Sequence, residues 1–272
     1  MRFGAYVPTF GEYDVRTLVD LAREAEAAAW DGFFIWDHLV WAPNGAPLVD
    51  ATVALTAIAL ATERLRFGAV ITPLARRRPW KFAKEAATLD QLSGGRLVAG
   101  VGLGIESDFL PVGERFDAAE RGRRLDEGLE VVDALWKGEP VRHEGERFQI
   151  DGVAMLPTPL QRPRIPVWVG GFWPSRPPFR RAARWDGALP QRRGNPFDPL
   201  SPSELRECAS YVSAHRATDS GFDLVMSWFG PRSDVSLTDY EAAGATWWLD
   251  GVNPWSESLA NYAARIRGGP PD

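Results

Sequence analysis

A histidine directly follows an aspartate at the end of an apolar run, in the stretch FFIWDHLVW at residues 33–41. The chain has only three histidines among its 272 residues. Histidine changes its charge near neutral pH and can therefore give or take a proton during catalysis. A histidine after a strand is also an ordinary loop residue, so the pair Asp37 and His38 gains meaning only from the elements that position it.

Those elements alternate along the whole chain, because short β-rich apolar runs are each followed by a longer amphipathic segment. The predicted strands cover residues 2–7, 32–37, 65–71, 96–101, 165–169, 186–189, 222–227 and 245–249. The predicted helices cover residues 15–30, 51–62, 79–92, 118–136, 178–185, 202–218, 237–243 and 257–266, with Asp14 and Ser236 as N-caps.

Eight strand–helix units in about 250 residues predict a (β/α)8 TIM barrel, which we expect to form one domain over residues 1–272. A doubly wound sheet normally has fewer units and would need an early phosphate-binding turn. Residues 138–164 interrupt the alternation and predict a short hairpin that carries His143, too small for a core of its own. Barrel enzymes place their chemistry at the carboxyl ends of the strands.

Several common barrel chemistries lack their residues at those strand ends. A Schiff-base lysine is missing, since Lys81, Lys84 and Lys137 all fall on predicted helices. The histidines lie on different elements without a His-x-His pair, so we expect no metal site. No Gly-x-Ser-x-Gly elbow is present either. These exclusions leave glycine and aromatic side chains as the materials of a site.

Composition limits the partners and the compartment. The formal net charge of -5 gives no basic surface for nucleic acid or an anionic membrane. A single cysteine, Cys208, cannot build a disulfide framework, and no secretory signal opens the chain, so a cytoplasmic protein is expected. The expected partner is a small-molecule substrate, and the composition leaves a homodimer open.

Glycines and aromatic residues recur at the predicted strand ends. The glycines of VAGVGLG, at positions 100, 102 and 104, would let a planar ligand approach the backbone or would relieve crowding inside the barrel. The amides of Gly170 and Gly171 could form an anion-binding nest or a plain turn. A pocket for a flat cofactor and an organic substrate is expected to be walled by the aromatic residues Phe10, Trp41, Trp173, Trp228 and Trp255.

These motifs, in this order, resemble the bacterial luciferase-like family of flavin- or deazaflavin-dependent oxidoreductases. The resemblance covers about the first two-thirds of the chain and is strongest over residues 60–104, 113–141 and 163–171. It implies a barrel that holds the ring at its carboxyl face, above a non-prolyl cis peptide near the end of the third strand. The matching bond here is expected between Ala69 and Val70.

The resemblance also assigns roles to individual positions. His38 is the expected proton donor or acceptor beside the ring, and Asp37 is expected to orient it or to contact the ring. The positions that it implies for cofactor binding are Asp37, His38, Ala69, Val70, Thr72, Gly102, Leu103, Gly104, Gly170, Gly171 and Phe172.

The Asp-His pair favours the deazaflavin F420 over FMN, because oxygen-using flavin monooxygenases of this type more often carry Glu-His-His. The resemblance thus implies hydride transfer between F420 or a flavin and an apolar small molecule. An FMN-dependent monooxygenase and a non-catalytic flavin-binding barrel are the alternatives. Ile105 replaces the glutamate of F420-dependent sugar-phosphate dehydrogenases, and the last third contains no lysine, which argues against a sugar-phosphate substrate.

Overall fold

Strands and helices alternate in the computed structural model, which describes residues 1–40, 45–218 and 221–271. The helices are α1 (Val15–Ala27), α2 (Ala51–Ala61), α3 (Pro79–Leu92), α4 (Ala118–Trp136), α5 (Arg176–Ala182), α6 (Pro202–Ser213), α7 (Leu237–Ala242) and α8 (Leu259–Arg267). Both predicted N-caps are confirmed, since Asp14 accepts the N–H of Thr17 and Ser236 that of Asp239. Within these ranges no helix combines the length and the apolar character needed to cross a membrane.

The strands form one parallel sheet and a separate hairpin. They are β1 (Arg2–Val7), β2 (Gly32–Ile35), β3 (Arg66–Ala69), β4 (Thr72–Pro73), β5 (Ala99–Gly102), β6 (Val141–Glu144), β7 (Gln149–Val153), β8 (Val167–Trp173), β9 (Gly187–Arg192), β10 (Asp223–Trp228) and β11 (Trp247–Gly251). The sheet order is β3-β2-β1-β11-β10-β9-β8-β5-β4.

The sheet closes on itself between β3 and the segment that leads into β5. The N–H of Val98 donates to the carbonyl of Phe67 at 2.8 Å, and the N–H of Phe67 donates to the main-chain carbonyl of Arg96 at 3.3 Å. Because β3 and β4 are two parts of one interrupted strand, the closed sheet is the predicted (β/α)8 TIM barrel.

The interruption of the third barrel strand follows Val70. The N–H of Val70 still donates to the carbonyl of Ile35 at 2.8 Å, as a residue of β3 would. Pairing resumes at Thr72, which lies opposite Val101 of β5. Val70 and Ile71, which lie at this interruption, both pack with the aromatic cluster inside the barrel.

Aromatic side chains fill the interior of the barrel. Phe34, Trp168 and Trp247 are fully buried, and their ring centroids lie 5.2–5.6 Å apart. This packed layer blocks the barrel at its lower part, as side-chain layers do in other barrels of eight strands. Among the described residues, this layer leaves the space inside the barrel at its carboxyl end.

The predicted hairpin forms within residues 138–164, where β6 and β7 pair in antiparallel fashion. It is attached to α4 through the carboxylate of Glu127, which accepts the N–H of Phe148 at 2.7 Å. His143 Nε2 lies 3.2 Å from the same carboxylate. The hairpin histidine thus has a local partner on the outside of the barrel.

A charged contact joins the end of β9 to the start of α6. Arg192 donates to both carboxylate oxygens of Glu204, at 2.9 and 2.7 Å. Glu204 also completes the capping box with Ser201. The Arg192 guanidinium is the main reason why the pKa of Glu204 falls to about 2. A carboxyl with a depressed pKa stabilises the fold above its ordinary pKa, and this contribution disappears as the pH falls toward 2.

We therefore expect Glu204→Gln to lower the free energy of unfolding at neutral pH by about 1–2 kcal/mol, because the charge-assisted bonds to Arg192 are lost. The difference from the unsubstituted protein should shrink as the pH drops below about 4.5. Denaturant unfolding at neutral pH and near pH ~3 measures both effects. Glu207→Gln, on an exposed position of α6, is the matched control. A difference that stays constant with pH would contradict the role of the Glu204 charge.

Candidate active site

A cavity of about 410 Å³ opens at the carboxyl end of the barrel strands. Its walls are mainly apolar and aromatic, with a few polar groups. The lining residues are Tyr6, Trp36, Asp37, His38, Val70, Ile71, Pro73, Leu103, Gly104, Ile105, Asp108, Phe116, Ala118, Gly170, Gly171, Phe172, Ser175, Pro178, Leu189, Gln191, Arg193, Pro196, Phe197 and Phe229. This size and character are typical of small-molecule sites.

Val70 and Ile71 form part of the cavity wall at the interruption of the third strand. The peptide bond between them is cis. The prediction of a cis bond between Ala69 and Val70 is wrong by one residue, because Val70 still uses its N–H in the ladder with β2 and the break comes after it. The phenol of Tyr6 donates a hydrogen bond to the carbonyl of Val70. Burial raises the pKa of Tyr6, so the phenol remains a donor.

The strand-end glycines make room for this interruption. A Cβ at Gly102 would lie 2.0 Å from Cδ1 of Ile71, and one at Gly170 would lie 2.7 Å from its Cγ2. At Gly100 the added carbon would lie 2.4 Å from the carbonyl oxygen of Ala69. Of the two explanations that the sequence allowed, relief of crowding accounts for Gly100 and Gly102.

Gly170 and Gly171 are extended and not in a nest or a turn. They belong to β8 and lie opposite Leu189 and Pro190 of β9. The predicted strand ended at residue 169, whereas the parallel ladder continues to Trp173. Both glycines line the cavity with their backbone, together with Phe172.

His38 lies in the cavity wall beside a buried carboxylate. Its Nδ1 is 3.0 Å from Oδ2 of Asp108, whose side chain is only 1% exposed. Asp108 belongs to the short 3-10 turn Glu106–Asp108 that follows β5. The loops after the second and fourth barrel strands therefore meet at this contact.

Asp37 bonds to two arginines. Its oxygens accept hydrogen bonds from Arg76 at 2.7 Å and from Arg77 at 2.9 Å. Asp37 was expected to orient His38, but the carboxylate beside His38 Nδ1 is that of Asp108. Asp37 nevertheless borders the cavity. A buried carboxylate needs such partners, and two guanidinium groups supply them here.

The predicted cofactor positions divide between two cavities. Asp37, His38, Val70, Leu103, Gly104, Gly170, Gly171 and Phe172 line the large one. Ala69 and Thr72 instead border a separate space of about 40 Å³ beside α2 and α3, which Asp37 also borders. Gly102 lies under the side chain of Ile71. Ala69 faces outward because alternate residues of a strand point to opposite sides, so that Val70 takes the inner side.

Two of the five predicted wall residues, Trp173 and Trp228, miss the cavity by one position along the chain. Trp173 packs against Phe179 outside the barrel, and Trp228 packs against Trp248. Their chain neighbours Phe172 and Phe229 line the cavity in their place.

The remaining three residues of that predicted wall differ in their surroundings. Phe10 packs behind Trp36, with the ring centroids 5.7 Å apart. Trp255 is 60% exposed, and its ring centroid lies 5.0 Å from that of the wall residue Phe197. Trp41 lies outside the described residues.

Several lining residues escaped the sequence-based reading. Asp108 is the most consequential, and nothing distinguished it from its exposed neighbour Glu106 in the loop sequence. The inward position of Trp36 could have been found, since it alternates with Phe34 along the second strand. For the other lining residues, a position in the cavity wall depends on how loops and strands are oriented in three dimensions. These residues are Tyr6, Phe116, Gln191, Arg193 and Phe197.

Comparison with known proteins agrees with this architecture. A family model described as luciferase-like monooxygenase matches residues 1–185, which is more than half of the chain. The chain belongs to the luciferase-like monooxygenase family. One relative of this luciferase-like protein is an F420-dependent glucose-6-phosphate dehydrogenase of Nakamurella multipartita. It is 33% identical over 178 residues, which are 64% of this chain and 52% of that protein. The chain thus spans about half the length of the curated relatives it matches.

Solved structures share the luciferase-like fold over nearly the whole chain. An F420-dependent secondary alcohol dehydrogenase in complex with an F420-acetone adduct has a TM-score of 0.79 at 18% identity, covering 98% of both chains. The oxygenating constituent of 3,6-diketocamphane monooxygenase from Pseudomonas putida, in complex with FMN, has a TM-score of 0.75 at 15% identity, covering 98% of this chain and 96% of that one. At such identities these similarities establish the fold alone.

We expect Gly100→Ala to destabilise the luciferase-like barrel by about 1–3 kcal/mol, because the added carbon would press on the backbone carbonyl of Ala69. Thermal unfolding should show a clearly lower Tm. Gly221→Ala is the control, since apart from its chain neighbours no atom of the described residues lies within 4 Å of a carbon added there. Equal Tm values for the two variants would contradict the crowding explanation.

Proposed function

We propose that the protein is an oxidoreductase that binds the deazaflavin F420 in the 410 Å³ cavity and moves a hydride between it and an apolar small organic molecule. The single observation that carries the proposal is the position of His38 in an apolar cavity wall, held by Asp108. An imidazole so placed can exchange a proton with a ligand while the surroundings exclude water.

The residues present suit a flat ring system. Val70 and Ile71 offer an apolar surface, and the glycines Gly104, Gly170 and Gly171 allow close approach of a ligand to the backbone. Tyr6 keeps the Val70 carbonyl engaged through its phenol. When bound, the deazaflavin supplies a ring carbon that accepts or donates a hydride. The protein's own part is to bind and orient both reactants.

Proton exchange is assigned to His38. Its Nδ1 faces Asp108, so exchange with a ligand runs through Nε2 on the opposite side of the ring. Asp37 takes no direct part, because Arg76 and Arg77 hold its carboxylate. Aromatic residues on the other walls, among them Trp36, Phe197 and Phe229, provide apolar contact for the substrate.

An apolar substrate is favoured over a sugar phosphate. Ile105, which stands where the dehydrogenases of sugar phosphates carry a glutamate, lines the cavity and adds apolar surface there. The match to the Nakamurella multipartita dehydrogenase covers 64% of this chain. Polar groups on the wall are Ser175, Gln191 and Arg193, which suit one polar substituent on an otherwise apolar molecule.

Cofactor binding tests the proposal directly. The purified protein is titrated with oxidised F420 and, separately, with FMN. We expect the fluorescence of F420 to be quenched at micromolar concentrations. Binding of FMN without binding of F420 would contradict the deazaflavin proposal and favour the alternative, a luciferase-type monooxygenase. Consumption of oxygen with a substrate would then establish that alternative.

His38→Ala should reduce turnover by about 10²-fold or more, since general acid–base catalysis contributes at least that factor. Cofactor affinity should remain within about threefold, because the wall keeps its apolar surface. His215→Ala is the control. His215 lies just after the end of α6, where its Nδ1 bonds to the carbonyl of Tyr211. An unchanged rate with intact cofactor binding would exclude His38 from the reaction.

A further inference from the structure

We propose that Asp108 is the positioning residue of the site: it fixes the tautomer of His38 so that Nδ1 carries the hydrogen. The proposal rests on the proposed role of His38 in proton exchange. It concerns a residue from the loop after β5 and not the aspartate that precedes the histidine in sequence.

The geometry around Asp108 is that of an acceptor. Oδ2 lies 3.0 Å from Nδ1 of His38. Oδ1 accepts the main-chain N–H groups of Leu39 and Val40, at 3.2 and 3.3 Å. Arg76 Nη1 approaches Oδ2 to 3.6 Å. The two main-chain N–H groups and Arg76 offer hydrogens and a positive charge, and they compensate the burial of the carboxylate.

An ionised carboxylate can only accept hydrogen bonds. Its short contact with Nδ1 therefore requires the hydrogen on that nitrogen, and a neutral imidazole then carries its lone pair on Nε2. Nε2 is the nitrogen that can take a proton from a ligand. A histidine with the opposite tautomer would present a hydrogen there and could not act as the base.

Arg76 joins the two aspartates of the site. Its side chain donates to Asp37 at 2.7 Å and faces Asp108 at 3.6 Å. Arg77 takes the second oxygen of Asp37. Arg76 thus places a positive charge between the two buried carboxylates, which compensates part of the cost of burying them.

The contacts also fix the backbone that carries the histidine. Because Oδ1 bonds to the two residues after His38, Asp108 restrains the chain leaving β2 as well as the ring itself. Its role combines a main-chain clamp with the orientation of an imidazole. The tautomer separates these two functions, since only the second depends on the bond to Nδ1.

The test uses the cofactor-free protein with ¹⁵N-labelled histidine. The side-chain nitrogen shifts of His38, assigned by their loss in His38→Ala, report the tautomer at a pH where the ring is neutral. We expect the Nδ1–H form in the unsubstituted protein. In Asp108→Asn the side-chain amide can donate to Nδ1, so the hydrogen should move to Nε2 and turnover should fall roughly 10²-fold or more.

Asp37→Asn is the matched control, because it removes a neighbouring buried carboxylate that bonds to arginines and not to the imidazole. It should leave the His38 tautomer unchanged. An Nε2–H tautomer in the unsubstituted protein would overturn the proposal even if Asp108→Asn did not fold. A tautomer that changes in Asp108→Asn without loss of turnover would support the positioning role and refute the acid–base role of His38.

Discussion

Space inside the barrel mouth is the constraint on which the site depends. The third strand stops pairing with β2 after Val70 and resumes beside β5 at Thr72, so two branched side chains turn into the barrel. The neighbouring strands β5 and β8 accept the side chain of Ile71 only without a Cβ of their own, which is why Gly102 and Gly170 face it. The result is an apolar surface above a barrel already filled by aromatic rings.

The charged and titratable side chains at the rim of this surface pair with residues of other loops. The acid of the Asp-His pair turns to the arginines of the segment after β4, and the histidine turns to an aspartate from the loop after β5. Three segments that are distant in sequence are thereby tied together at the same face. Such mutual pairing keeps two buried carboxylates compatible with an apolar cavity.

The sequence predicted the architecture well because alternation and helix caps are local signals. The barrel, the hairpin after α4 and the segment that carries His38 all follow from patterns within a few residues. Several errors are of one residue. Trp173 and Trp228 were expected in the pocket wall that their neighbours Phe172 and Phe229 line, and the cis bond was expected before Val70 and not after it. A shift of one position along a strand reverses the side that a residue faces, and near a strand end the sequence does not fix that parity. Asp108 was missed for another reason, since its importance arises from a contact with a residue 70 positions away.

In the proposed function, the cavity above Val70 and Ile71 holds the reacting ring with His38 at its edge. A crystal structure of the protein with oxidised F420 tests this claim most directly. We expect the ring to lie against Val70 and Ile71, with Nε2 of His38 within hydrogen-bond distance of the ring system. A ring bound elsewhere, or a His38 side chain turned away from it while still bonded to Asp108, would contradict the account.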